Sequence, residues 1–378
     1  MIPIIRPDLS FDEVADDLRK VIESGQLTCG GKVVEFENQI AATVGVKHAV
    51  ATTSATTALH LVLAAKGIGA GDEVLVSDFS FPASANAIIQ TGAVPVFVDC
   101  RPGGFDLDVA DAAGKVTART KAIMPVHPFG MPADIKAIVA LAEKHGLFVV
   151  EDAACAIGAE RDGIRCGGGP GVGCFSFHPR KLITTGEGGA VTTDDDALAL
   201  RLRLLRSHGG RTGPKVGLEF VENGFNYRMS EIQAVLGLAQ MKRLDAILED
   251  RRRTARLYRQ ELAGMAGITL PQFDIPGSGT FQSFVILLDD GIDRDHVVGA
   301  MRAQGVETTL GTYAQHAHPA FARFGHAPGD CPHAWIAQRQ SLTLPLLPQM
   351  AAETVGSVCR AMERVIAEQA FMPSVKTR

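Results

Sequence analysis

The chain lacks the marks of several protein classes. It has no CxxC pair, and its seven cysteines (Cys29, Cys100, Cys155, Cys166, Cys174, Cys331 and Cys359) are odd in number and scattered. This excludes a disulfide framework and fits free thiols in a reducing cytoplasm. Basic charge is not in excess: 37 Lys and Arg stand against 42 Asp and Glu, a formal net charge of −5. A nucleic-acid binder usually presents a basic face, so that class is disfavoured. The basic runs at 201–211 and 251–253 lie in or beside helical patterns and are expected on solvated helix faces. Long apolar runs are also missing. The opening MIPIIRPDLSFDEV meets charge at Arg6, so neither a signal peptide nor a membrane span is expected there. No low-complexity tract and no internal repeat is visible.

What the chain does have is a hydrophobic fraction of 46% over 378 residues, enough for a large core and a prior of two domains. Strand-like runs over 48–52, 73–76, 94–98, 122–125 and 147–150 alternate with helical patterns over 56–65, 83–90 and 134–145. That rhythm predicts an α/β fold, a mostly parallel sheet covered by helices on both faces. A helix is expected over 197–205, followed by a glycine-rich connection over 209–224. A long helical stretch is then expected over 230–262. Ser230 is its N-cap, and Glu231 follows too soon for a capping box. Beyond Pro271 the texture changes. A strand over 281–287, a helix over 294–304, a strand over 306–309 and a helix over 354–368 describe a smaller α+β unit. The expected division is a large domain over 1–250 and a small C-terminal domain over 251–378.

Several motifs invite functional readings. GIGAGD at 67–72 follows a helix and precedes a strand, the reverse of a nucleotide loop, and reads as a helix C-cap and turn. GGGPGVG at 167–173 opens a strand and reads as a loop. His316, His318, His326, Cys331 and His333 match no common zinc spacing, so no metal site is expected. VVEDAACAIGA is more informative, because Asp152 falls at the carboxyl end of an apolar strand, where ligands of open α/β sheets bind. The bland alternative is a helix N-cap. TTSATTALHL runs from a strand into a helix, and its Ser54, Thr56 and Thr57 either cap that helix or, with its N-terminus, hold an anion. FSFHPRKLITTGEGG places one lysine, Lys181, between a strand and a glycine turn. A phosphate cradle, an aspartate at a strand end and a lysine after a later strand are together what pyridoxal 5'-phosphate (PLP) requires. It needs an amine for its aldehyde, a carboxylate for its ring nitrogen and donors for its phosphate.

With these motifs in this order, the sequence resembles the PLP-dependent sugar aminotransferases of the DegT/StrS type over nearly its whole length. The resemblance implies the aspartate-aminotransferase fold (fold type I), a seven-stranded-type sheet sandwiched by helices with a smaller C-terminal α+β domain. It implies that Lys181 is the Schiff-base lysine and that Asp152 pairs with the pyridine nitrogen. Phe81 of FSFPASANAI would stack on the ring, Ala55 and Thr56 would form the phosphate-binding turn, and Ser176 would reach the phosphate. Asn226 of NYRMSE would come from the neighbouring subunit of a homodimer. Tyr313 and His316 of TYAQHAHPAF would lie on the substrate side. Two positions depart from the family: Cys155 stands where Gln or His is usual, and Ala55 where Gly is usual. A thiol is a weak donor, which puts the usual ring contact at Cys155 in doubt. Relatives with His in place of the lysine are sugar dehydratases, and Lys181 argues against that branch. The implied activity is transfer of an amino group from an amino acid, glutamate by expectation, to a keto sugar, most often nucleotide-linked. A PLP-dependent dehydratase or lyase, or a cyclitol ketone aminotransferase, stands as the alternative.

Overall fold

Seven short strands build the central sheet: β1 (His48–Thr52), β2 (Glu73–Ser77), β3 (Val94–Val98), β4 (Thr120–Met124), β5 (Phe148–Asp152), β6 (Val172–Ser176) and β7 (Gly189–Thr193). The computed structural model describes residues 1–213, 217–271, 278–327 and 329–370. Across the sheet the order is β1-β7-β6-β5-β4-β2-β3. β7 runs antiparallel to β1 and β6, and the remaining neighbours pair in parallel. Side chains alternate between the two faces, as a pleated strand dictates. Val74 and Val76 enter the cluster containing Leu59, Val62 and Leu202, whereas Leu75 packs with Ile123, Ile138 and Leu141. Both faces are thus apolar, which a helix-covered parallel sheet requires.

The stretch over 230–262 is two helices, Glu231–Met241 and Leu244–Leu262, broken where Arg243 leaves helical backbone (φ −114°, ψ 9°). Arg243 reaches back to Asp8 and Glu13 of the N-terminal segment. A capping box is present after all, because Gln233, not Glu231, occupies its third position. Glu231 has a different task. Its buried carboxylate accepts the N–H groups of Gly30, Lys32 and Val33, each at 2.9 Å, and so caps helix Gly31–Val44 from outside. That helix has no side-chain cap of its own.

Two arginines of the basic runs are not solvated. Arg206 donates to Glu37 at 2.6 Å and to the carbonyl of Ala51 at 2.8 Å. Arg251 is 3% exposed and donates to the carbonyl of Leu346 at 2.9 Å. Burial pulls its guanidinium pKa down to about 10. The glycine-rich connection over 209–224 carries an antiparallel hairpin, Gly210–Thr212 with Leu218–Phe220, and residues 214–216 within it lie outside the described ones. Toward the C-terminus, strands Ile268–Thr269, Phe284–Leu288, Ser341–Leu344 and Thr309–Leu310 form a second, antiparallel sheet in that order. Helix Ala352–Ala370 lies over it, with Val355, Val358 and Met362 sharing a core with Phe284 and Ile286.

Replacing Glu231 by Ala strands three amide donors at the start of helix Gly31–Val44. The expected loss is about 3 kcal/mol of unfolding free energy, since hydrogen bonds to a charged group each contribute about 1.5–3 kcal/mol. Glu231→Gln should lose less. Chemical denaturation checks both, and a Glu231→Ala protein as stable as the parent would contradict the external cap.

Candidate active site

The ends of β1, β2, β5 and β6 meet at one edge of the sheet, and the candidate residues gather there. Asp152 is the last residue of β5, and its side chain is 5% exposed. Its Oδ2 accepts from Ser84 Oγ at 2.7 Å and its Oδ1 from the N–H of Ala154 at 3.2 Å. Ser84 stands in helix Ala83–Gln90, which starts just after Phe81. Ser84 is not among the residues picked from FSFPASANAI, although it lies three positions beyond Phe81 and thus almost one helical turn along. Phe81 itself is 65% exposed at the mouth of the site.

After Ser176 ends β6, the chain turns at His178, where the N–H of Lys181 donates to the His178 carbonyl at 2.8 Å. Thr184 and Thr185 fold back on Phe177, and Gln240 clamps Thr184 from both sides (Thr184 N to Oε1 3.0 Å, Nε2 to Thr184 O 2.6 Å). The glycines of TTGEGG then have separate reasons to be glycine. Gly186 takes a left-handed backbone, φ +82°. A Cβ on Gly189 would lie 2.7 Å from the nitrogen of Ala55 and closer still to the Ser54 carbonyl. β7 therefore slides beneath the turn that starts helix Ala55–Ala65. The result brings the Lys181 loop to the open end of that helix.

At that helix start, Ser54 accepts the N–H of Thr57 at 3.1 Å, and Thr57 Oγ1 in turn accepts the N–H of Ser54 at 3.0 Å. The capping box occupies two of the three hydroxyls read from the sequence as either caps or anion donors. The amides of the first helical turn have no acceptor within their own helix. Those of Ala55 and Thr56, with the Thr56 hydroxyl, are the groups this edge can offer an anion. Half-buried Lys181 extends its Nζ to Cys155 Sγ at 3.1 Å. Cys155 lies in the turn that follows Asp152.

Asn226 is exposed, and its backbone bridges to Ser207. It does not cap helix Glu231–Met241, because Ser230 does so. Tyr313 comes to the edge by a short antiparallel pairing, Tyr313–Ala314 against Phe79–Ser80, with its ring 6.4 Å from that of Phe81. His316 lies beneath this pairing with a fully buried side chain. Asp78 holds it twice, accepting its backbone N–H at 2.7 Å and pairing with its Nδ1 at 2.6 Å. Asp78, His316 and Cys331 place their ligand-type atoms within 4.8 Å of one another. At 2.6 Å the Asp78–His316 contact is a hydrogen bond; two ligands of one tetrahedral zinc, each about 2.0–2.1 Å from the metal, stand roughly 3.3 Å apart. Burial holds the Asp78 carboxyl above the usual carboxylate range, and His316 offsets part of that.

Nearly the whole chain overlays on solved structures. DesV of S. venezuelae, solved in complex with a ketimine intermediate, matches with a TM-score of 0.90 at 34% identity, covering 97% of this chain and 98% of that one. The PLP form of the sugar aminotransferase Spr1654 from Streptococcus pneumoniae, described as putative, matches with a TM-score of 0.92 at 25% identity over 97% and 99%. Architecture and neighbours together define the class, an aminotransferase of fold type I. The sequence narrows it further: the chain belongs to the DegT/DnrJ/EryC1/StrS aminotransferase family, whose sequence model matches residues 10–363. Aminotransferases of this family depend on PLP. Relatives include GDP-perosamine synthase of Caulobacter vibrioides, 41% identical over 340 residues (89% of this chain, 91% of that protein). UDP-N-acetyl-3-dehydro-alpha-D-glucosamine 3-aminotransferase of Acidithiobacillus ferrooxidans is 37% identical over 357 residues (94% of each).

Removing the ring of His316 leaves the Asp78 carboxylate buried without its strongest partner. His316→Ala should cost about 3 kcal/mol of stability at pH 7. The cost should shrink as pH falls, because a carboxyl raised in the folded variant takes up its proton before the unfolded chain does, near pH 3.9. Denaturant titrations across pH test this, and a deficit that stays constant with pH would speak against the pair.

Proposed function

We propose that this aminotransferase moves an amino group from an amino acid, L-glutamate, to the ketone of a nucleotide-linked sugar, with PLP held at the carboxyl edge of the central sheet. The observation that carries this reading is the convergence there of a primary amine, a buried carboxylate and an open helix N-terminus, in a chain whose family is PLP-dependent. The donor set fits the group: the amine of Lys181 suits its aldehyde, Asp152 its ring nitrogen and the start of helix Ala55–Ala65 its phosphate. Bound PLP supplies an electron sink for the charge that develops at the substrate's α-carbon.

The chain's own residues do the rest. Lys181 Nζ would be the covalent anchor and the acid/base that moves the substrate's proton. Asp152 would pair with the ring nitrogen and favour its protonated form. Phe81 would stack on the ring. The Ala55 and Thr56 amides and the Thr56 and Ser176 hydroxyls hold the phosphate. Cys155 packs beside Lys181 and tolerates the place of a larger polar side chain. Tyr313 stands on the substrate side, and His316, in our reading, serves it from below. The relatives named for GDP- and UDP-linked sugars support a nucleotide sugar acceptor. The exposed hairpin residues Leu218 and Phe220 and exposed Asn226 support a homodimer in which Asn226 reaches the neighbour's site. Seven free thiols support a cytoplasmic setting.

Purified protein should take up PLP with a visible absorbance band, and borohydride should fix the cofactor to Lys181. Lys181→Ala should abolish both. Asp152→Asn should retain PLP yet lose on the order of 3 kcal/mol of transition-state stabilisation. Both are read with glutamate and nucleotide keto sugars by stoichiometric 2-oxoglutarate and product mass. Label on another lysine, or turnover without 2-oxoglutarate, would refute the assignment.

Subunit mixing tests the shared site. Lys181→Ala chains exchanged with Asn226→Ala chains give mixed dimers with one doubly defective site and one intact site, provided Asn226 acts across the interface. Activity should rise toward about a quarter of wild type for random pairing. No recovery, with exchange verified and Asn226→Ala itself defective, would place Asn226 in its own subunit's site.

A further inference from the structure

Asp152 is held by a chain of hydroxyls that starts at the pairing of Phe79–Ser80 with Tyr313–Ala314. Ser84 is fully buried, and its Oγ lies 2.7 Å from Asp152 Oδ2, 3.0 Å from Ser80 Oγ and 3.4 Å from the carbonyl of Phe81. A serine has one proton to give, and a carboxylate can only accept. The Ser84 proton therefore goes to Asp152, the shortest of the three contacts. Ser80 must then donate to Ser84. Ser80 is 3% exposed, and its direction is fixed by its backbone, which pairs with Tyr313 while its N–H donates to the Asp78 carbonyl at 2.9 Å. The carboxylate of the same residue, Asp78, clasps His316, two residues beyond Ala314.

We infer that Ser84 is a positioning residue for Asp152, and that Ser80, fixed by its pairing with Tyr313, polarises it. The inference rests on the reading of Asp152 as the partner of the cofactor's ring nitrogen. Hydrogen bonds to a carboxylate favour its charged form. With Ser84 in place, the proton shared between Asp152 and the ring nitrogen stays on nitrogen. Without it, the carboxylate becomes the better acceptor of the two, and the proton moves toward oxygen. The segment that carries Tyr313 is thereby linked to the electronic state of the cofactor through two hydroxyls.

The test uses the full-length protein, 15N-labelled PLP and the variants Ser84→Ala, Ser84→Thr and Ser80→Ala. Three quantities are read: PLP affinity, the 15N shift of the bound ring nitrogen, and the unfolding midpoint of the cofactor-free protein. Ser84→Ala should bind PLP about tenfold more weakly, the loss of one hydrogen bond to a charged group, and move the 15N resonance toward neutral pyridine. Ser84→Thr should restore both. Ser80→Ala should move the resonance the same way by a smaller amount. A Ser84→Ala protein with the parent's affinity and resonance would overturn the inference. So would a lowered unfolding midpoint with an unmoved resonance, or a Thr variant no better than Ala. If Ser84→Ala does not fold, Ser80→Ala decides, and a parental resonance there would overturn it. A wild-type protein that takes up no PLP is a separate outcome, and it removes the cofactor assignment together with this inference.

Discussion

The site depends on the passage of one strand beneath one turn. β7 lies between β1 and β6, antiparallel to both, and its first residue, Gly189, faces Thr52 on one side and Ser176 on the other. A side chain at Gly189 would collide with Ser54 and Ala55. The absence of that side chain lets the strand enter at full depth, which fixes how far the Lys181 loop stands from the start of helix Ala55–Ala65. An amine and an anion-attracting helix end are useful to each other only at a set separation. Backbone pairing over five residues is a stiffer way to set it than any contact between flexible side chains.

Asp78 plays a similar part for the segment that carries Tyr313. It sits one residue past β2, so the central sheet fixes its place, and its carboxylate reaches across to a segment 238 residues further along the chain. Its carbonyl takes the N–H of Gln315 at 3.1 Å, and the side chain of Gln315 donates to the Ser77 carbonyl at 3.1 Å. Burying a carboxylate is costly unless its lone pairs are met, and here a ring nitrogen and an amide meet them. The return is positional. Tyr313 and Phe81 come within reach of each other because strand Tyr313–Ala314 and strand Phe79–Ser80, which Phe81 follows, are pinned at Asp78.

The repeated βα pattern was legible in the sequence because β2 to β5 are continuous apolar runs and the helices between them keep a clear period. The ends of elements were less so. β7 reads GAVTT, with no apolar run to announce it, and it is buried because its neighbours cover it. The break at Arg243 has no glycine or proline signal; the residue that leaves the helix is also the one bound to Asp8 and Glu13, contacts made across more than 200 positions. Arg206 and Arg251 read as solvent-facing charges because no local pattern reveals a distant acceptor such as Glu37 or the Leu346 carbonyl. In the candidate site, Lys181 and Asp152 could be singled out because a lone lysine and a carboxylate beside strand ends stand out by residue type. Ser84 could not, since a serine in the first turn of a helix is commonplace, and only the fold shows that its hydroxyl meets a carboxylate 68 positions away.

His316 shows how a residue picked for one task can be found doing another. A histidine beside a tyrosine in a loop reads naturally as a pair of ligand contacts. Yet its ring is sealed from solvent against Asp78, and the half-exposed Tyr313 is the one left at the edge. The two are three residues apart and joined by a strand that pairs with Ser80. His316 is therefore joined to Tyr313 through the backbone, and Ser80, which pairs with Tyr313, reaches Asp152 through Ser84. Specific polar contacts at this edge are spent on holding other side chains in place, and few groups are left free to meet a ligand directly. That economy suits the proposed site, whose covalent chemistry would rest on one amine. The surrounding groups then have to fix direction and charge, and buried hydroxyls and carboxylates anchored to sheet backbone do this with little freedom to drift.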